Sequence, residues 1–180
     1  MTVTAANGAK KTLRIGLVQM CSSRNADENV SEASRAIREA AAKGATYVQT
    51  PEFTVLMEMS SKRLLAETKP EENNPALAAF KSLARDLGIH IHIGSMGVLV
   101  QPDKIANRSY LIGADGEIGA SYDKIHMFDA ALGGTDNFRE SKNFAPGAKA
   151  VVADMDGTAV GLTVCYDLRF PALYRSLAKA

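Results

Sequence analysis

The sequence predicts an α/β protein built from layered sheets of mixed strand direction, and three observations carry that prediction. Short apolar runs alternate with helical patterns in the first half of the chain. Three apolar runs joined by short turns follow, and a last pair folds back about Asp156-Gly157. Strands separated by helices pair in parallel through crossovers, whereas strands joined by tight turns pair antiparallel, so both directions are expected.

Residues 1–11 are polar and are expected to form a disordered tail, with one domain over residues 12–180. The run Thr12 to Met20 reads as the first strand. From Asp27 to Lys43, Val30, Ala33, Ile37, Ala40 and Ala41 follow helical spacing, and Gly44 stands where a left-handed residue ends a helix. "ATYVQTPEF" is a second strand stopped by Pro51, leaving Glu52 and Phe53 beyond its tip. A short helix over Ser61 to Glu67 precedes a longer one with Asn74 as N-cap, Pro75 at its first position and Gly88 after its last turn. "IHIHIGSMGVLV", "IANRSYLIG" and "EIGASYDK" are three further strands, divided by the turn signals "QPDK" and "ADGE". A long loop runs from Lys124 to Lys149; loops of such length in compact domains are usually functional or disordered, and a functional one is expected. The hairpin about Asp156-Gly157 leads to Cys165, and a helix opens at Phe170-Pro171.

Composition excludes several function classes. The chain has 180 residues, 46% of them apolar, which suffices for one sizeable core. With 21 basic against 20 acidic residues and no block of either sign, it lacks the electrostatic footprint of a nucleic-acid or anionic-lipid binder. The opening "MTVTAANGAKK" has no apolar signal region, and no apolar run approaches the ~20 residues that span a bilayer. A cytoplasmic protein acting on a small molecule is expected. The two cysteines, Cys21 and Cys165, are read as free thiols.

Glu52, Lys124 and Cys165 each stand where an apolar strand runs into a loop, and ligands of open α/β sheets bind outside strand ends. A thiol is strongly nucleophilic near neutral pH once a base removes its proton. Glu52 can be that base, and the Lys124 ammonium with the backbone N–H of Tyr166 can hold an oxyanion. Together they would perform acyl transfer through a thioester, without histidine, metal or cofactor. Taken singly, the three have plainer readings: a cysteine in an apolar strand is most often a small core residue, and loop charges are most often solvated.

The blocks "PEF", "YDKIHMFD", "RESKNFAPG" and "CYDLRFPALY" resemble the signature blocks of the nitrilase superfamily of carbon–nitrogen hydrolases, in the same order and from about Thr12 onward. The resemblance implies a catalytic set of Glu52, Lys124 and Cys165, with Glu140 as a supporting glutamate. It also implies a nitrilase-like αββα sandwich that pairs into homodimers or larger assemblies. Within the superfamily, "YDKIHMFD" with "CYDLRFP" is similar to the branch holding deaminated-glutathione amidase and omega-amidase. An amidase releasing ammonia from a small carboxylate-bearing amide is therefore expected, with an omega-amidase acting on 2-oxoglutaramate-like substrates as the alternative. Nitrile hydrolysis is not expected.

Subunits of that family are longer, so the C-terminal part of the sandwich is expected to be missing after "PALYRSLAKA". A catalytically silent fragment acting only in assembly therefore stays open. A thiol redox protein is disfavoured by the lack of a C-x-x-C pair. His90 and His92 share a strand face but lack a third ligand nearby, so they are read as packing against a helix rather than binding metal. His126 is assigned to positioning the loop, and Asn107 to structural hydrogen bonding. Arg169 and Asp167 are expected to pair with each other or with neighbouring charges and so brace the turn after the thiol, with Arg169 also a candidate for binding a substrate carboxylate. Cys21 is read as incidental.

Overall fold

The computed structural model describes residues 12–131 and 137–180; the expected tail over residues 1–11 lies outside them. Strand β1 (Ile15–Leu17), helix α1 (Ala26–Ala42), β2 (Tyr47–Gln49), α2 (Ser61–Glu67), α3 (Pro75–Leu87) and β3 (His90–Gln101) alternate as expected. Strands β4 (Lys104–Ile112) and β5 (Ile118–Asp123) follow through tight turns. Their sheet runs β1-β2-β3-β4-β5, parallel across the first three strands and antiparallel across the last three.

The local signals act through their own chemistry. The Asn25 side chain accepts from the N–H groups of Asp27 and Glu28, and those two acids sit against the positive end of α1. Asn74 caps α3 by accepting from the Leu77 N–H, and Gly88 takes the left-handed conformation that ends it (φ +62°).

Alternation along the strands divides the sheet into two faces. One face presents Val48, Ile91, Ile93 and Tyr110 to Ile37 of α1 and Phe80 of α3, all essentially without solvent exposure. Burying a side chain of Phe80's size is worth ~2–3 kcal/mol. The other face presents Tyr47, Leu111 and Tyr122 to a hairpin, β8 (Val151–Met155) with β9 (Thr158–Leu162). The hairpin turns through Asp156 and Gly157, both at positive φ (51° and 83°). Helix α4 (Pro171–Lys179) covers its outer side, where Leu177 packs so closely on Gly161 that a Cβ there would come within 3.2 Å of it. Helices, sheet, hairpin and helix thus form the αββα order of layers.

Three expectations are corrected. The segment from Lys124 to Lys149 is not all loop: it holds β6 (Asp129–Ala131) paired antiparallel with β7 (Asn137–Arg139), and a 3-10 helix over Glu140–Lys142. The first strand is shorter than expected, because only Ile15–Leu17 finds a partner, on β2. His90 and His92 face the hairpin side rather than a helix, since they share register with Tyr47 and Gln49. His90 meets Asp156 at 2.9 Å, and His92 is buried between the Tyr47 hydroxyl (2.5 Å) and Ser109 (2.7 Å). Among the described residues no helix is long and apolar enough to cross a membrane, and no cluster of three or more metal-binding side chains occurs.

Candidate active site

Glu52 is carried by a turn fastened to a bulge in β3. The Ser95 N–H donates to the Pro51 carbonyl (3.2 Å), while Ser95 accepts the N–H groups of Phe53 at Oγ (3.1 Å) and Thr54 at its carbonyl (2.9 Å). The bulge is the register shift between Ile93 and Met96, and Gly94 within it allows the close approach: a Cβ there would lie 2.1 Å from the Thr50 carbonyl oxygen. Phe53, beside Glu52, is held at φ +51°.

Lys124 directly follows β5 on the face shared by Ala120 and Tyr122, which points it between the sheet and the hairpin. Its backbone is held on both sides, donating to the Asn107 carbonyl (3.0 Å) and accepting from the Gly147 N–H (2.8 Å). Gly147 is pressed so close to Asp123 that a Cβ would fall 2.1 Å from its carbonyl oxygen.

The Lys124 ammonium donates to Glu52 Oε1 at 3.0 Å and to Glu140 Oε1 and Oε2 at 3.1 and 2.9 Å. Glu140 opens the 3-10 helix after β7, and its Oε2 also accepts the Phe128 N–H at 2.6 Å. The Lys124 and Glu140 side chains are only 2% and 3% exposed, against 25% for Glu52. Such burial works against the lysine's charge, but the two carboxylates outweigh it and hold its pKa above the ordinary value.

Asn107, on β4, closes the group. Its Nδ2 donates to Glu52 Oε1 (2.9 Å) and Glu140 Oε1 (3.2 Å), so the four side chains form one hydrogen-bonded ring. Asn107 is thus a hydrogen-bonder, as expected, and its acceptors are the two carboxylates. Asn107 stands at the centre of β4, fully buried and on the same face as Ser109.

Cys165 does not end a strand. It begins a 3-10 helix (Cys165–Arg169) three residues after β9, in the left-handed conformation at φ +45°. A non-glycine residue there carries ~1–3 kcal/mol of strain, and such strain concentrates at functional sites. The thiol reaches the surface, and its pKa is raised by partial burial first and by the Glu52 charge second, with Lys124 opposing. At rest it is a neutral thiol with a carboxylate beside it. The N–H of Tyr166 belongs to the first turn of this helix, where N–H groups have no intrahelical acceptor.

Asp167 braces the elbow as expected, through its neighbours and without Arg169, whose expected share in the bracing is corrected. Fully buried, it accepts from the Tyr122 hydroxyl (2.7 Å), the Val164 N–H (2.9 Å) and both the N–H and Nδ1 of His126. The His126 ring stacks on Phe170 at 3.5 Å. Arg169 is exposed and makes no ion pair among the described residues, and Cys21 is exposed. A separate cavity of about 570 Å³ lies between α1, α2 and α3; Phe53 lines it, but Glu52, Lys124, Glu140 and Cys165 do not.

Comparison with known proteins agrees with this architecture. The chain is 36% identical over 171 residues to the deaminated glutathione amidase of Yersinia enterocolitica, an alignment covering 93% of this chain and 59% of that protein. It is 34% identical to omega-amidase NIT2 of Homo sapiens, over 93% and 60% of the two chains. The chain thus spans about 60% of the length of these relatives. Its fold superposes with a TM-score of 0.78 on an amidase from Nesterenkonia sp. AN1, solved after Michael addition of acrylamide at its active-site cysteine, at 25% identity over 92% of this chain and 62% of that one. The carbon-nitrogen hydrolase family model matches residues 14–180, and the chain belongs to that family.

Proposed function

We propose that this chain carries the catalytic residues of a cysteine amidase that hydrolyses a small, carboxylate-bearing amide. The observation that supports this most is the convergence of Glu52, Lys124 and Glu140 in one buried hydrogen-bonded group beside the Cys165 thiol. A thiol whose pKa is pushed up needs a base at the moment of attack, and Glu52 stands beside it.

In the proposed reaction Glu52 takes the Cys165 proton, and the sulfur attacks the amide carbonyl carbon. Lys124 and the Tyr166 N–H hold the oxyanion. The C–N bond breaks, Glu52 returns the proton to the leaving nitrogen, and ammonia departs from a thioester. Glu52 then deprotonates a water that attacks the thioester, releasing the carboxylic acid and restoring the thiol. Glu140 keeps Lys124 charged and in place. Arg169, exposed and without an ion pair among the described residues, is the candidate for the substrate carboxylate. The relatives named for deaminated glutathione and for omega-amides define the two substrate types to be tried, and a homodimer or higher homo-oligomer is the expected assembly.

Ammonia release from deaminated glutathione and 2-oxoglutaramate, with Cys165→Ala in parallel, tests the reading. Release abolished by the substitution supports it and ranks the two substrates. Release that survives the substitution would overturn the mechanism, and none from either protein would assign these 180 residues to the silent alternative.

A further inference from the structure

We propose that Asn107 is a positioning residue that assigns the two oxygens of Glu52 different tasks, a role that rests on the amidase reading above. Both Asn107 amide hydrogens go to carboxylates, one to Glu52 Oε1 and one to Glu140 Oε1. The reverse amide orientation would set its oxygen against two carboxylate oxygens, so the acceptors dictate which way it points. In the observed orientation Asn107 Oδ1 is buried with no hydrogen-bond partner among the described residues. A buried unpartnered carbonyl is a cost that folded proteins seldom carry without a compensating role.

The compensation is at Glu52. Its Oε1 receives both Lys124 Nζ (3.0 Å) and Asn107 Nδ2 (2.9 Å), while Oε2 takes no nitrogen donor among the described residues. Oε2 is therefore the oxygen available for the thiol proton. The same amide holds Glu140 at a fixed separation from Glu52, so that one ammonium serves both. Two carboxylates about one ammonium leave the group with one excess negative charge. A neutral donor shared by both holds them side by side without a second cation, which would weaken the base. The titratable groups facing Glu52 are Lys124 from the end of β5, Glu140 from the 3-10 helix and Cys165 from the elbow.

The test reads the thiol directly. Cys165 is alkylated with iodoacetamide across pH in a Cys21→Ser background, for the parent, Asn107→Ala and Asn107→Ser. A hydrogen bond to an ionised carboxylate favours that form, so deleting it should move the acid limb of the alkylation profile to higher pH by about one unit in Asn107→Ala, and by less in Asn107→Ser, which keeps one donor. With substrate, kcat should fall about 100-fold while KM changes little, because the interaction acts through the base. An unmoved limb in a variant that unfolds at the parent temperature would overturn the proposal. So would a parent profile without an acid limb, or failure of both variants to fold, which would make Asn107 a folding residue. If the parent releases no ammonia, the amidase reading fails while the alkylation limb still decides the role of Asn107.

Discussion

Asp167 accepts two hydrogen bonds from His126, one from its backbone N–H at 3.1 Å and one from ring Nδ1 at 2.6 Å. A carboxylate only accepts, so Nδ1 carries the ring hydrogen. This pair ties the segment after Lys124 to the elbow that holds Cys165, and Tyr122 and the Val164 N–H complete the seat. Asp167→Ala would strand these buried donors together. We expect a loss of about 3 kcal/mol of stability, read by urea unfolding. Cys165 alkylation should slow even in the folded fraction, because the elbow is no longer held.

Two glycines should be irreplaceable for a reason unlike that of a third. At Gly94 and Gly147 a Cβ would lie 2.1 Å from a backbone carbonyl oxygen, of Thr50 and Asp123 respectively. Alanine at either must push apart the backbone that carries Glu52 or Lys124, costing on the order of 3 kcal/mol and most of the activity. At Gly157 there is open space but φ is +83°, so alanine there should cost only about 1 kcal/mol and spare activity. Thermal unfolding of the three variants side by side checks the contrast.

Burial pushes the His92 pKa down from 6.5 to about 4. The unfolded chain binds the proton more readily, so stability is intact at neutral pH and drains away as pH falls from about 6.5 to about 4. The shift corresponds to at most about 3 kcal/mol. His92→Gln should flatten that window, whereas carboxylates held below their ordinary values, such as Glu71 under Tyr110 and Arg108, act only at lower pH. Urea midpoints at pH 7, 5.5 and 4.5 separate the two.

Ile15 and Leu17 stand on the hairpin side of β1, 53% and 78% exposed, because Gly16 between them faces α1. An edge strand with an open apolar face invites association. The 180-residue chain should self-associate with rising concentration, and Leu17→Lys should reduce this without changing Cys165 alkylation. Sedimentation velocity over a concentration series gives the answer.

Helix boundaries could be read from the chain because their signals are local. Asn74, Pro75 and Gly88 act within one turn of the backbone they cap, and α2 and α3 fall on the expected residues. The 3-10 helix at Glu140 and the left-handed turn at Cys165 were not readable, since neither follows from propensity. The first depends on a bond to Phe128 across β6 and β7, the second on Asp167 being seated by Tyr122 and His126.

By itself the sequence determined the order of the strands and helices that build the main sheet and its covering layers, the alternation that gives the sheet two apolar faces, and the four motif blocks that name a family. Only the tertiary structure decided which polar side chains meet. Glu52 and Asn107 lie 55 residues apart, and Glu52 and Lys124 lie 72 apart. Their contact depends on strand register, on which face each side chain takes, and on two glycines that let backbones touch. Those are properties of packing between elements, and no local pattern encodes them.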